Sequence, residues 1–264
     1  MAEPATRDRT RLEAALRRRI DGGGRIFVPY VTGGLFGVDP NLLREVEATG
    51  ANALEVGIPF SDPVMDGGVI QEASRRALED GFHPRDAFAL VAEARLSIPV
   101  AVMTYLNPVL AMGMERFTEL AVEAGVAGVI VPDLPVDEGG EWAERCAQVG
   151  LATIYLAAPG TSVERLERVA KASTGWVYCV STYGVTGERE TLSGSSREVI
   201  EALRPRATRP LLAGVGISTP ELAAEACTFA DGVIVGSALV KPMLSGEFDV
   251  ALDVAREFRR AIPE

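Results

Sequence analysis

Glu55 is the residue whose type and setting most demand a chemical explanation. It stands in the stretch LEVGIPFSDPVMDGG (54–68), inside an apolar run of Ala53, Leu54, Val56 and Ile58. Asp62 and Asp66 follow in a loop built of Pro, Ser and Gly. A carboxyl group among apolar side chains resists ionisation, so its pKa rises toward neutrality, where it can both give and take a proton. Asp66, on a loop rich in Gly and Pro, is placed to close over a ligand and orient it. Glu55 could equally be a buried acid paired with an arginine or with backbone donors; both roles fit the sequence. Asp62 precedes Pro63 and reads as a turn former.

Other polar residues fall just beyond apolar runs. Tyr105 and Asn107 stand in MTYLNP, Asp133 in VPDLP, and Tyr178 precedes the glycine-rich STYGVTG. Asn107 and Asp133 are expected to tie loops together through backbone hydrogen bonds. Three late segments are dense in glycine: GVTG (184–187), AGVGIS (213–218) and VGSAL (235–239). Glycine lets backbone N–H groups approach an anion closely, and a following helix N-terminus adds a partial positive charge. A phosphate ester can therefore be gripped by amides in a chain whose formal net charge is −11. The same charge argues against nucleic acid or an anionic membrane as a partner.

Several chemistries find no support. The only lysines, Lys171 and Lys241, fall late in a helix and beyond the last strand, so neither is placed to form a Schiff base. One histidine, His83 in GFHPRD, reads as a loop residue, and Cys146, Cys179 and Cys227 are widely spaced, which suits neither a zinc site nor a disulfide framework. The expectation is carboxyl acid–base chemistry on a small phosphorylated molecule, without cofactor or metal, in a reducing, cytoplasmic setting. The N-terminal MAEPATRDRTR lacks the apolar core of a signal peptide, and residues 98–114 are too interrupted to span a bilayer.

One pattern supplies the elements that must position these groups. A helical segment, a Gly and a short β-branched run recur in EATGANALEVG, VEAGVAGVIVP, AQVGLATIYLA, ASTGWVYCVS and FADGVIVG. The Gly provides the left-handed helix cap, and the apolar run suits a strand buried on both faces of a parallel sheet. Eight strands are expected, at 26–32, 53–57, 100–104, 128–131, 152–156, 177–181, 211–214 and 232–235. Asp39-Pro40 and Thr219-Pro220 pair an N-cap with Pro at the first helical position, and Thr161–Glu164 has capping-box spacing. An extra helix at 9–20 carries Leu12, Leu16 and Ile20 on one stripe and is expected to pack across the start of a barrel. Eight βα units within 264 residues predict one (β/α)₈ barrel domain, with residues 1–8 as a disordered tail. VTGGLFG after the first strand lacks a dinucleotide-binding fingerprint. Barrel active sites lie at the strand C-termini, and phosphate commonly binds after strands seven and eight, where AGVGIS and VGSAL fall.

The runs FVPYVT, LEVGIPFSDPVMDG, VPDLPVDE, STYGVTG, AGVGIS and VGSALVK, in that order, resemble the tryptophan synthase alpha subunit family across nearly the whole chain. The resemblance implies cleavage of indole-3-glycerol phosphate to indole and glyceraldehyde 3-phosphate, in an α₂β₂ complex whose beta subunit carries pyridoxal phosphate. It implies Glu55 as general acid–base and Asp66 as the group that holds the indole N–H. Tyr30, Met103, Ile130, Tyr178 and Thr186 would line the substrate pocket, and Gly187, Gly216, Gly236 and Ser237 would form the phosphate cradle. Pro59, Asp62 and Asn107 match positions at or near the beta-subunit contact. Gly68 replaces the usual proline, the first loop is longer than the common form, and Thr182-Tyr183 replace an Arg and a small residue. These departures touch loop closure and the partner-facing side, and they keep open a stand-alone indole-releasing lyase or a chiefly allosteric partner.

Overall fold

Alternation along the strands builds this structure from the inside out. The computed structural model describes residues 10–181, 194–214 and 216–264. Its strands are β1 (Ile26–Thr32), β2 (Leu54–Gly57), β3 (Val100–Met103), β4 (Val126–Ile130), β5 (Ala152–Ile154), β6 (Leu156–Ala157), β7 (Val177–Cys179), β8 (Leu211–Ala213) and β9 (Gly232–Val235). They form one parallel sheet in the order β5-β4-β3-β2-β1-β9-β8-β7-β6. β5 and β6 are two halves of the expected fifth strand. At Tyr155 the chain changes partners, from β4 through Ile130↔Ile154 to β7 through Leu156↔Tyr178. The Tyr155 carbonyl accepts from the Tyr178 amide at 3.1 Å, and this closes the barrel. The architecture is the expected (β/α)₈ barrel.

Two apolar cores result. Residues pointing inward, among them Ile26, Val28, Ala53, Ala101, Ile154, Trp176, Leu212 and Ile234, fill the barrel. Those pointing outward, such as Val31, Leu54, Val56, Val102 and Val129, pack under the helices. Both faces being buried is why each strand reads as an unbroken apolar run.

The N-terminal helix α1 (Arg11–Asp21) plugs the floor. Thr10 caps it, accepting from the Glu13 amide at 3.2 Å and donating to the Thr174 carbonyl at 2.7 Å. Leu12 and Leu16 are fully buried within the barrel core. Gly128 leaves the room they need, since a Cβ there would lie 2.7 Å from a Leu12 methyl. Arg209 holds the buried Glu13 of the same helix at 2.9 Å.

The expected caps hold at Asp39, which accepts from the Leu42 amide at 2.8 Å, and at Thr219, which accepts from Leu222 at 3.3 Å. At 161–164 the helix starts one residue later than capping-box spacing from Thr161 implies: Ser162 is the N-cap and accepts from the Arg165 amide. More helices are present than one per strand. Two follow β2 (Gly68–Glu79 and Pro84–Ala94), two follow β3 (Leu106–Met112 and Met114–Glu123), and two follow β9 (Ser237–Leu244 and Phe248–Ala261). No helix among the described residues is long and apolar enough to cross a membrane.

Candidate active site at the barrel mouth

Glu55 is positioned by β2. Leu54 and Val56 face the helices, so the two-residue period turns Glu55 into the barrel, level with Tyr30 of β1 and Ala101 of β3. It is 1% exposed, and among the described residues its Oε2 has no hydrogen-bond partner. Among the described residues no arginine holds it. Burial pushes its pKa up from 4.5 to about 8, and the nearby Asp66 adds to the rise. The carboxyl is therefore a proton donor at neutral pH.

Asp66 reaches the same space from the loop at 58–67 and is 7% exposed. Its amide donates to the Pro63 carbonyl at 3.1 Å, and the Gln71 side-chain amide donates to its carbonyl at 2.9 Å. Burial raises its carboxyl from 3.8 to about 7, against the opposing pull of a hydrogen bond with Tyr105. Asp62 lies on the exposed side of this loop, its carboxylate accepting from the Ser61 hydroxyl at 2.6 Å and its carbonyl from the Val64 amide at 2.9 Å.

Tyr30, Tyr178, Glu55 and Asp66 form one electrostatic cluster. The Tyr30 and Tyr178 phenols are pushed up by burial first and by the two carboxyls besides. Met103 and Ile130 occupy inward positions on β3 and β4 beside them. Five of the expected pocket and acid–base residues thus share the barrel interior, and Asp66 comes down over them. Thr186 and Gly187 lie outside the described residues.

After β9, which neighbours β1, Gly236 precedes the helix Ser237–Leu244, whose first turn begins at Ser237. Both residues are partly exposed. Gly216, in the loop after β8, has a φ of +86°, a conformation that favours glycine. Asp133 ties loops as expected, accepting from the Leu106 amide at 2.9 and 3.2 Å. His83 is exposed and precedes the helix Pro84–Ala94, its amide donating to Asp86 at 2.8 Å. The three cysteines are buried and unpaired with one another. Among the described residues no group of three or more His, Cys, Asp and Glu gathers in a way that could hold a metal. A separate cavity of about 540 Å³ opens beside the loop at 58–67, lined by Pro59, Phe60, Leu78, Arg85, Asn107 and Met112 among others.

The sequence named Tyr105 as a polar residue at a strand end but did not assign it to the site. Its ring stacks on Phe60 with centroids 5.2 Å apart, and its hydroxyl reaches both Asp66 and the Met65 amide. The only available signal was its place just beyond β3, at the barrel mouth.

Fold and site together define a (β/α)₈-barrel enzyme whose C-terminal mouth holds two buried carboxyl groups. A family model described as tryptophan synthase alpha chain matches residues 18–258. A tryptophan synthase alpha chain from Leifsonia xyli is 41% identical over 252 residues, covering 92% of this chain and 95% of that one. One from Carboxydothermus hydrogenoformans is 43% identical over 227 residues, covering 83% and 84%. Among solved structures, a chain of Mycobacterium tuberculosis tryptophan synthase superposes with a TM-score of 0.91 at 32% identity, covering 97% of this chain and all of that one. The Legionella pneumophila alpha chain gives 0.85 at 32% identity, covering 96% and 97%. The chain belongs to the tryptophan synthase alpha chain family.

Proposed function

We propose that this chain cleaves indole-3-glycerol phosphate to indole and glyceraldehyde 3-phosphate, with Glu55 and Asp66 carrying the proton and charge movements. Membership of the family makes it an alpha chain of tryptophan synthase and a lyase. The observation that carries the proposal is Glu55 itself, a carboxyl inside the barrel mouth, held protonated near neutrality, with one oxygen unengaged among the described residues.

Neutral indole is a poor leaving carbon. Proton transfer from Glu55 to C3 of the ring converts it to a cationic, iminium-like form. The Asp66 carboxylate accepts the ring N–H and offsets that charge. The bond between C3 and the glyceryl carbon then breaks, its electrons neutralising the ring as indole forms. The carbinol becomes the aldehyde, and its hydroxyl proton passes to the Glu55 carboxylate, which regenerates the acid. No cofactor enters these steps. Tyr30, Met103, Ile130, Tyr178 and Thr186 line the indole space in this scheme, and the amides of Gly187, Gly216, Gly236 and Ser237 hold the phosphate.

The alpha chain works with a beta subunit as an α₂β₂ assembly, and the cavity beside 58–67 gathers Pro59 and Asn107 on the side assigned to that contact. Pyridoxal phosphate belongs to the partner. An indole-release assay on the isolated chain, with and without a beta subunit, tests the proposal. Cleavage stimulated by the beta subunit and lowered at least about 100-fold in Glu55→Gln is expected. Full activity of Glu55→Gln removes the acid and overturns the scheme. A rate already maximal without partner assigns the chain as a stand-alone lyase instead.

A further inference from the structure

We propose that Tyr105 is a positioning residue for Asp66, its hydroxyl fixing the carboxyl and the neighbouring backbone of the 58–67 loop in a single arrangement. This rests on the role given to Asp66 above. Tyr105 follows β3 after Thr104 and is the N-cap of the helix Leu106–Met112, so its backbone belongs to the barrel frame and not to the loop. Frame and loop meet at one oxygen. That oxygen accepts from the Met65 amide at 3.1 Å, one residue before Asp66, and its interaction with the Asp66 carboxyl favours the charged form of that acid.

A phenol has one O–H to give and two lone pairs to receive with. With the Met65 amide donating in, the O–H is left for the carboxylate, and the bond to a charged acceptor is the stronger kind. The phenol keeps its proton, because burial and the Asp66 charge both push its pKa far up. The ring cannot swing away, since it is 2% exposed and stacked on Phe60 at 5.2 Å. Aspartate on a loop of Gly and Pro would otherwise sample several rotamers.

Among the described residues, this hydroxyl is the one side chain whose interaction favours the charged form of Asp66. Glu55, Tyr30 and Tyr178 feel the Asp66 charge as repulsion, and Asp133 faces Tyr105 from the next loop. No guanidinium or ammonium group contributes at either carboxyl among the described residues. Removing the hydroxyl therefore lowers the ionised fraction of Asp66 and frees its rotamer together.

Tyr105→Phe keeps the ring and its stacking. In this variant, indole release should fall about tenfold in kcat/KM. The acidic limb of its pH profile should move to higher pH, as should the Asp66 carboxyl titration followed by carbon NMR. Tyr155→Phe removes a comparable buried bond, from its hydroxyl to the Gly139 carbonyl at 3.1 Å, and should leave the limb in place. An active protein in which Tyr105→Phe changes neither limb nor titration overturns the proposal. A wild-type chain inert toward the substrate, in which Tyr105→Phe still raises the Asp66 titration, overturns the assigned reaction and leaves the positioning intact. Should Tyr105→Phe fail to fold, Phe60→Leu loosens the same ring while keeping the hydroxyl. It should shift the limb in the same direction but less, and an unmoved limb there overturns the proposal.

Discussion

The hydroxyl of Tyr30 fills the space that a side chain on Gly57 would need: a Cβ there would lie 2.0 Å from the Tyr30 oxygen and 2.6 Å from its ring. Gly57 is the inward position next above Glu55 on β2, so its missing side chain lets the Tyr30 ring lie across the barrel beside the acid. Gly57→Ala must push that ring into the proposed indole space. The expected result is a loss of kcat/KM on the order of 100-fold, as a misplacement near 1 Å can produce. The accompanying loss of stability should be about 1–3 kcal/mol from overpacking. Gly140→Ala, at a position with open space around it, should leave both unchanged. Steady-state kinetics and denaturant unfolding of the two variants check this.

The two carboxyls predict a bell-shaped pH profile. Asp66 must be ionised to offset charge on the ring, so activity rises as pH passes its value of about 7. Glu55 must hold a proton to donate, so activity falls as pH passes its value of about 8. The optimum should be narrow and close to neutral, with both limbs on kcat/KM for the isolated chain. Glu55→Gln should lower the rate by roughly 100- to 10,000-fold. A flat profile from pH 5 to 9 would remove both groups from the reaction.

Stability should carry the opposite signature of the same burial. The folded-state pKa of Glu55 lies above its ordinary value of 4.5, so the native state binds the proton more tightly than the unfolded chain. Its contribution is complete below about pH 4.5 and is lost as pH rises through about 8. The loss is on the order of a few kcal/mol for a fully buried carboxyl. Glu55→Gln removes the penalty of a buried anion. The variant should unfold at nearly the wild-type denaturant concentration at pH 5 and at a clearly higher one at pH 9. An equal difference at both pH values would mean that Glu55 does not ionise inside the barrel.

The barrel was legible because its strands are covered on both faces, which forces apolar runs, and several of its helices end at or just before a Gly that stands out in the sequence, as at Gly50, Gly125 and Gly150. Glu55 was legible as a violation of such a run. What lay hidden depends on contacts between distant parts of the chain. The Tyr105 hydroxyl meets an amide 40 residues earlier, and nothing local to MTYLNP announces it. The break at Tyr155 is a matter of partner exchange around the closing barrel, invisible in ATIYLA. The paired helices after β3 share Gly113, whose φ of +85° lets one end and the next begin without a loop.

Gly68 offers a last test, on the loop that carries Asp66. It is the first residue of the helix Gly68–Glu79, and a Cβ there would meet nothing within 4 Å. Proline suits the first helical position, where its fixed φ is already helical and its missing N–H has no partner within the helix. The preceding residue must then be extended, and Gly67 already is, at φ −79° and ψ 165°. Gly68→Pro should therefore stabilise the protein by about 0.4–1 kcal/mol, mainly by narrowing the unfolded ensemble. The same restriction narrows the open conformations of the 58–67 loop, so KM for the phosphate ester should fall while the pH limbs stay fixed. Thermal unfolding and kinetics on the variant decide it: a lower Tm would mean that the native backbone at 67–68 departs from this geometry.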